Sequence, residues 1–412
     1  MKTKLLFIAL IVISITSQSQ NTYVPDDVFE QFLIDAQYDA GPLDDYVPTA
    51  NIENIIFLEL QFLAISDLTG IEDFSALEIL RCNFLQLSSL DLSQNTALEY
   101  LECIDNQLTS LNLSQNNALT TLDCSFNQLS TLDLSQNILL TNLGCSNNNI
   151  SSLDLTQNTA LTSLSCSFNQ LTNLNLSQNN NLTFLDCYDN QLTNLNLNQN
   201  TLLTNLNCFN NQLAILDVSQ NSELIFLYCY NNNLSELNLS QNNVLSQLVC
   251  YDNQITTLDL TQNTSLAVLN CGTNSLTALD VKNGNNTIIN TFRTIGNPNL
   301  NCINVDNEAY SNANWTNIDP QSFFNEDCEN LSVDNELWPK FTIYPNPTSN
   351  LLTITIRDRA SYSIVNLNGQ TLKNGELKIG ENKLETAQLN NGFYLLCVKT
   401  DDGITVKKIL KE

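Results

Sequence analysis

The sequence of 412 residues contains no histidine. Histidine supplies the base of Ser-His-Asp and Cys-His catalytic sites and is the commonest metal ligand, so its absence excludes such sites. The thirteen cysteines never form a Cys-x-x-Cys pair, so the spacing of zinc ribbons is missing. The Gly-Gly-x-Gly-x-Asp repeat of calcium-binding rolls is missing too. We therefore predict neither a metal site nor a cofactor.

Basic side chains are nearly absent from most of the chain. Residues 21–340 hold only Arg81, Lys282, Arg293 and Lys340 against 36 acidic residues, whereas residues 341–412 hold nine basic and seven acidic side chains. Such an acidic body repels phosphate backbones and anionic membranes, which excludes nucleic acid as a partner. The same charge keeps a repetitive, apolar protein soluble and favours a monomer.

Long apolar runs are also missing after the N-terminus. Residues 1–20, MKTKLLFIALIVISITSQSQ, combine basic Lys2 and Lys4 with an apolar run and a small, polar end. This pattern is typical of a secretory signal peptide. No later segment has the 18 consecutive apolar residues of a membrane-spanning helix, so we expect an exported protein.

A repeat of 21 residues fills the middle of the chain. Residues 98–118, LEYLECIDNQLTSLNLSQNNA, are followed by a close copy, and the cysteine recurs at this period from Cys82 to Cys271. A fixed period indicates stacked turns. The Leu-x-Cys and Leu-x-Leu alternations predict two short strands per turn, stacked in register about 4.8 Å apart. The Leu rows would then form the core.

Asparagine and cysteine form further rows in this repeat. Asparagine recurs from Asn106 to Asn274 and, in a second row, from Asn95 to Asn263. We assign both rows a structural role, since an amide can donate to and accept from turn backbone groups. The cysteines occupy an inward-facing position and are expected to be packed, reduced thiols. Disulfides between adjacent turns are the alternative, although Cβ atoms near 4.8 Å apart would require local distortion.

The repeat resembles leucine-rich repeats, specifically the bacterial class of 21 residues with a nested second motif, over residues 77–284. Residues 64–77, AISDLTGIEDFSAL, resemble the first repeats of internalin-like proteins. The resemblance implies a solenoid of parallel strands with a binding function. Because cysteine replaces the usual third leucine and no helix-forming segment is present on the convex side, the predicted fold is mostly β.

Caps are expected at both ends, because an open turn exposes the Leu rows. For residues 21–76 we predict a cap and first repeats, with a short helix whose start resembles a capping box formed by Asp27 and Glu30. Residues 285–328 are predicted as the C-terminal cap. In an exported protein its two irregularly placed cysteines, Cys302 and Cys328, are disulfide candidates. Residues 329–340, ENLSVDNELWPK, indicate a linker.

Residues 341–412 alternate strand and turn signals, which predicts a small β-sandwich. This part resembles the C-terminal sorting domain of the Bacteroidetes type IX secretion system. The resemblance is carried by Pro345, Asn346, Pro347, Gly369, Gly392, Phe393, Tyr394, Lys407 and Lys408. It implies recognition by the secretion machinery, removal of the domain, and release of the remainder or its attachment at the outer cell surface.

The residue after the repeat cysteine varies along the array. It is small or aliphatic in the first five turns, then Tyr188, Phe209, Tyr230 and Tyr251, and finally Gly272. We expect an exposed aromatic row, extended by Phe184, Phe226 and Tyr228 and bordered by Asp189 and Asp252. Such a row suits sugar-ring stacking or a basic peptide. The alternative is that these aromatics only pack on one another within the sheet.

The predicted function is that of an exported, surface leucine-rich-repeat protein that binds an unknown protein or glycan, as in adhesion. A passive element of a surface layer is the alternative. A glycoside-cleaving enzyme would need paired carboxylates, for which Asp186 and Asp189 are candidates. The uniform repeats contain no insertion that would form a pocket, so we predict that the protein is not an enzyme.

Overall fold

The computed structural model describes residues 20–328, 341–366, 369–400 and 403–412. The predicted signal peptide, except Gln20, and the predicted linker at 329–340 lie outside the described residues. The chain divides into two compact units, Met1–Glu326 and Asp327–Glu412. Each unit is described by itself below.

The first unit is a mostly β, parallel solenoid of about 13 turns, as the repeat predicts. Within the described residues, one parallel sheet contains twelve strands of three residues each. These strands are Phe57–Glu59, Ile79–Arg81, Tyr100–Glu102, Thr121–Asp123, Asn142–Gly144, Ser163–Ser165, Phe184–Asp186, Asn205–Asn207, Phe226–Tyr228, Gln247–Val249, Val268–Asn270 and Thr291–Arg293.

The central leucine of each strand sets the register. Leu185, Leu206, Leu227 and Leu248 face one another on successive turns, and all four are fully buried. Full burial of a leucine side chain stabilises the fold by about 1.5–3 kcal/mol. A slip by one residue would turn this row to solvent, so the hydrophobic pattern specifies the register.

The prediction of two strands in every turn is wrong for most of the array. In the described residues, the second segment forms strands only towards the C-terminal end, in a four-stranded parallel sheet. Its strands are Thr257–Asp259, Ala278–Asp280, Cys302–Asn304 and Phe323–Asn325. In earlier turns the corresponding leucines, such as Leu174 and Leu195, are still buried. Side-chain burial, rather than strand pairing, therefore holds those segments in place.

The N-terminal cap contains helices Asp27–Asp35 and Thr49–Ile52 and an antiparallel pair of strands, Asn21–Tyr23 and Tyr46–Pro48. The helix confirms the predicted cap, but the capping box is wrong by one residue. Asp26 is the N-cap, and its Oδ1 accepts from the amides of Val28 and Phe29. Glu30 instead accepts from the amides of Asp44 and Asp45, because the following loop folds back over the helix.

At the other end of the first unit the helix Glu308–Asn314 precedes Trp315. Trp315 is almost fully buried, with its ring stacked 4.2 Å from that of Phe292 and its Nε1 donating to the carbonyl of Ile289. Short 3₁₀ helices occur at Ile71–Asp73 and Asn286–Ile288. Buried aromatic rings thus cover the leucines at the C-terminal end of the solenoid.

The second unit is an antiparallel β-sandwich, as predicted. In its described residues, one sheet contains Thr342–Tyr344, Leu351–Ile356 and Gly380–Glu385, and the other contains Ala360–Val365, Thr371–Leu377, Gly392–Thr400 and Gly403–Lys411. Leu352, Ile354, Ile364, Leu396 and Ile409 form much of the core between them. Across all described residues, no helix has the length and apolar character needed to cross a membrane.

Candidate functional site

The ten repeat cysteines form a buried ladder behind the strands, with none of the ten side chains exposed. All are free thiols, as expected from the packing argument. Desolvation raises the pKa of Cys82, Cys166, Cys229 and Cys271 to about 12. The pKa of Cys187, between two other thiols, is raised well above its ordinary value for the same reason. Neutral thiols neither attack a substrate nor bind a metal, so this ladder is core.

We predict that the native protein at pH 8 reacts with a thiol reagent at Cys397 alone, because among the free cysteines of the described residues only this one is partly exposed. After unfolding in denaturant without reductant, eleven thiols are expected to react. Reduction of the unfolded chain should raise the count to thirteen, since Cys302 and Cys328 are disulfide-bonded. About one reactive thiol in the unfolded, unreduced protein would contradict the free ladder.

The first asparagine row holds the turn that follows each ladder cysteine. Asn190 Nδ2 donates to the carbonyls of Cys166, Cys187 and Tyr188, and its Oδ1 accepts from the amide of Leu171. These bonds tie each turn to the previous one. The residue just before each of these asparagines has a positive φ, 51° at Asp189. Two adjacent positions, the residue after the cysteine and this left-handed residue, therefore lie along one edge of the strands.

The predicted aromatic row forms a continuous stack at this edge. Ring centroids are 4.2 Å apart between Tyr188 and Phe209, 4.2 Å between Phe209 and Tyr230, and 4.4 Å between Tyr230 and Tyr251. The planes are within 15° of parallel in each pair. Phe168 meets Tyr188 edge-on at 5.2 Å. The row thus extends over five consecutive turns.

The structure corrects the expectation that these rings are exposed. All four are only partly exposed, because neighbouring rings cover one another's faces at the spacing of the turns. Because the ring faces are covered, a ligand cannot insert between the rings. It can contact the ring edges and the tyrosine hydroxyls. Desolvation, followed by the neighbouring Tyr251 hydroxyl, raises the pKa of Tyr230 to about 12, so its hydroxyl stays protonated at neutral pH.

The bordering residues differ in their contacts. Tyr228 Oη donates to Gln247 Oε1, and Asp189 Oδ1 accepts from Asn210 Nδ2 at 2.9 Å. Asp252 is exposed. Phe184 and Phe226 lie on strands two turns apart, both partly exposed. Asp186 accepts from Asn207 Nδ2, and partial burial raises the pKa of its carboxyl.

Phenylalanines at the left-handed position of earlier turns were not predicted as site residues. The first, Phe62, has a φ of 60°, is 72% exposed and stacks on Phe84 with ring centroids 4.6 Å apart. The next three are spaced two turns apart. Phe84, Phe126 and Phe168 have φ values of 57°, 57° and 51°, and their side chains are 42%, 53% and 46% exposed. The signal was present in the sequence, because phenylalanine precedes the leucine or asparagine of every second turn in this part of the array. We name these three residues the phenylalanine ridge.

Asp27, Glu30 and Asp45 are the acidic cluster nearest to a metal-binding arrangement among the described residues, with one oxygen from each lying within 4.8 Å of the others. Both Glu30 oxygens already accept backbone amide protons, at 2.8 and 3.1 Å. These contacts account for the buried carboxylate as part of the N-terminal cap.

In the second unit, the residues that carry the sorting-domain resemblance converge on the last strand. Asn346 Nδ2 donates to the carbonyl of Lys408, and Asn346 Oδ1 accepts from the amide of Leu410. Pro345 and Pro347 flank this asparagine, and both of their peptide bonds are cis. The segment after Tyr344 is thus tied to the C-terminal strand by both groups of one amide.

Two lysines of that strand meet aromatic rings. Lys407 Nζ donates to the carbonyl of Phe341 at 2.7 Å and lies 4.9 Å from its ring centroid. Lys408 Nζ lies 3.8 Å from the ring centroid of Phe393. Tyr394 Oη donates to the carbonyl of Asn390. Gly369, with a φ of 80°, lies just before the strand Thr371–Leu377, and Gly392, with a φ of 150°, is the first residue of the strand Gly392–Thr400.

The fold of the first unit is that of internalin-like leucine-rich-repeat proteins. The functional domain of InlJ from Listeria monocytogenes, which includes a cysteine ladder, is similar at 24% identity and a TM-score of 0.55, over 96% of this chain and 99% of that one. The internalin inlF from the same species is similar at 22% identity and a TM-score of 0.55, over 72% and 95% of the chains. At such identities the likeness shows the fold.

Residues 342–412 match the family model of the secretion system C-terminal sorting domain. The second unit is therefore a type IX sorting domain, which implies export and interaction with that machinery. None of the curated proteins compared with the chain matches it in sequence.

Proposed function

We propose that this chain is an exported, cell-surface binding protein that recognises a protein or glycan through the aromatic stack of the solenoid. The sorting domain supports delivery to the outer surface by the type IX machinery. The leucine-rich-repeat fold supports binding. The observation that carries the proposal is the stack of Tyr188, Phe209, Tyr230 and Tyr251 on a single edge of the strands.

The contrast between the two sides of the repeat supports this location. The Ser-Gln-Asn side hardly changes from turn to turn, whereas the edge beside the cysteine ladder changes from small residues to aromatic ones. Solubility and packing alone would allow the same residues on every turn. The tyrosine hydroxyls and the carboxylates of Asp189 and Asp252 offer hydrogen bonds beside apolar ring edges, a combination that suits sugar hydroxyls or the polar groups of a protein.

The ring contacts also give the stack a structural role, which favours the passive surface element as a second candidate. Face-to-face rings stabilise their pairs by about 0.5–1.5 kcal/mol beyond their buried area. A binding assay and a stability assay on the same variants therefore separate the two candidates.

The test is an array of glycans and extracellular proteins probed with the full chain and with a variant carrying Tyr188→Ser, Phe209→Ser, Tyr230→Ser and Tyr251→Ser. We expect binding at least about 100-fold weaker in the variant, since central aromatic residues dominate the free energy of binding. The matched control carries Gln199→Ala, Gln220→Ala, Gln241→Ala and Gln262→Ala, exposed residues of the same turns on the other side.

Two further outcomes decide against the proposal. Equal binding by the four-ring variant would place recognition elsewhere. A variant that only melts at a lower temperature, while no array component binds the native chain, would support the passive element. A third variant with Tyr188→Phe, Tyr230→Phe and Tyr251→Phe keeps the stack and tests the hydroxyl groups alone.

A further inference from the structure

The phenylalanine ridge occupies a backbone position that disfavours phenylalanine. A positive φ is accessible to Asn and Asp at low cost and strains bulky residues. Other turns use Asp105, Asn147, Asn210 and Asn231 at the equivalent position, with φ values between 51° and 55°. Strained residues of this kind cluster at functional sites. Turn geometry therefore does not explain why phenylalanine occupies this position in the ridge.

The ridge is also exposed, and it is built around small neighbours. The residues just before Phe126 and Phe168 are Ser125 and Ser167, both almost fully buried. Phe126 has Asp105 and Asn147 at the same position of the adjacent turns, so neither adjacent turn presents an aromatic ring there. With 53% of its side chain exposed, Phe126 gains little from burial. Neither strain nor exposure stabilises the fold.

The spacing of the ridge indicates the shape of its partner. The three ridge phenylalanines lie two turns apart, about 9.6 Å at the usual strand spacing, while Phe62 stacks on Phe84 from one turn before it. A polyproline II helix advances about 9.3 Å per turn of three residues. Same-face residues of an extended strand repeat at about 6.7 Å, and positions seven apart on an α-helix at about 10.5 Å. Over the two intervals from Phe84 to Phe168, the repeat of a polyproline II helix deviates least from the spacing of the phenylalanines.

Charge identifies the chemistry of the partner. Residues 82–281 contain fifteen carboxylates and no basic side chain. Arg81, at the start of this stretch, is already beside Glu102 and Glu59 at 3.5 and 3.9 Å. Asp105 and Asp189, four turns apart, alternate with the phenylalanines along the same edge. A second copy of this acidic solenoid would be repelled, whereas a cationic partner would be attracted.

We propose that the phenylalanine ridge binds a proline-rich segment in the polyproline II conformation that carries one arginine or lysine per turn. Proline rings lie against Phe84, Phe126 and Phe168, as in other aromatic-lined sites for such helices. The basic side chains reach the carboxylates of Asp105 and Asp189, two polyproline turns apart. The ridge adjoins the four-ring stack where Phe168 meets Tyr188, and Asp189 borders both surfaces. Binding at Phe84 and Phe126, five and three turns from Tyr188, does not depend on the proposed function of that stack.

The test measures binding of a fluorescent (Arg-Pro-Pro)₅ peptide to the full chain by anisotropy at two salt concentrations. Peptides (Arg-Gly-Ser)₅ and (Arg-Ala-Ala)₅ carry the same charge in flexible and helix-favouring form. We expect the proline peptide to bind at least about tenfold more tightly than either, because its bound conformation is already populated. Equal or tighter binding of a control peptide, or failure of the proline peptide to bind, would overturn the proposal.

The triple variant Phe84→Asn, Phe126→Asn and Phe168→Asn and the single variant Phe126→Asn together separate recognition from folding. The triple variant is expected to lose at least about tenfold in affinity. It also loses the ring contacts of Phe84 with Phe62 and of Phe168 with Tyr188, so its melting temperature does not serve as the readout. Phe126→Asn alone removes no ring contact among the described residues, and asparagine suits the left-handed position, as Asn147 shows. It should weaken binding while the melting temperature stays the same or rises. Binding by either variant as tight as that of the native chain, or a clearly lower melting temperature of Phe126→Asn, contradicts a recognition role.

Discussion

Raising the pH from 8 to 10 is expected to unfold the solenoid. Ten ladder thiols are fully buried, and burial raises the pKa of Cys82, Cys166, Cys229 and Cys271 to about 12 and that of the others well above the ordinary value. In an unfolded chain a thiol titrates near pH 8.5. Between these values the unfolded state binds fewer protons than the native state, so stability falls as the pH rises.

The size of this effect follows from the number of thiols. Above about pH 9.5, each thiol that ionises only on unfolding destabilises the native state by about 1.4 kcal/mol per pH unit. Ten such thiols give a slope of about 14 kcal/mol per pH unit, comparable with the whole stability of a typical domain of about 5–15 kcal/mol. Below about pH 7 the same thiols are protonated in both states and the slope disappears.

Urea unfolding followed by circular dichroism at pH 7, 8, 9 and 10 measures this slope. The matched variant Cys166→Ala, Cys187→Ala and Cys208→Ala has seven ladder thiols. Its cavities lower its stability at every pH, but its slope should be shallower by about three tenths. A native protein equally stable at pH 7 and 10 would show that the ladder does not stay protonated.

Asn190→Ala is expected to be the most destabilising of the single asparagine substitutions compared below, at about 3–6 kcal/mol. The amide makes four hydrogen bonds to backbone groups of two turns, at 2.9–3.2 Å. Removing it leaves the amide of Leu171 and the carbonyl of Cys166 buried without this partner. Because both groups belong to the turn before that of Asn190, the interface between turns weakens along with the loop itself.

The matched control is Asn200→Ala in the second asparagine row. Asn200 Nδ2 donates to the carbonyls of Leu176 and Asn179, while its buried Oδ1 has no hydrogen-bond partner in the described structure. Its loss removes two bonds together with an unpaired oxygen, so we expect a smaller cost of about 1–3 kcal/mol. Equal losses in urea unfolding would show that the two rows contribute alike.

The fold could be predicted because the same pattern of apolar and polar residues recurs in every turn. A period of 21 residues with Leu at fixed positions specifies stacked turns, inward leucines and an in-register parallel sheet. Alternation with turn signals likewise predicted the C-terminal sandwich. Predictions of local contacts, such as the N-cap of a helix, were less reliable where two arrangements are close in energy. Asp26 caps the first helix in place of Asp27 because Glu30 is drawn into contacts with a distant loop.

The candidate surface was only partly predictable. Position in the repeat located Tyr188, Phe209, Tyr230 and Tyr251 on one edge, but exposure depends on what neighbouring rings cover. The ridge formed by Phe84, Phe126 and Phe168 was missed because φ is invisible in a repeat that accepts Asn, Asp and Phe at one position.

The sequence by itself determined the stacking of the turns, the buried rows of leucine, asparagine and cysteine, the acidity of the body and the sorting domain at its end. These follow from composition and period, which act identically in every turn. Only the tertiary structure decided which segments pair as strands, that the tyrosine faces are mutually covered, and that three phenylalanines are held in a strained, exposed conformation. Those features depend on distances between residues of neighbouring turns, and these distances are set only when the chain has folded into the solenoid.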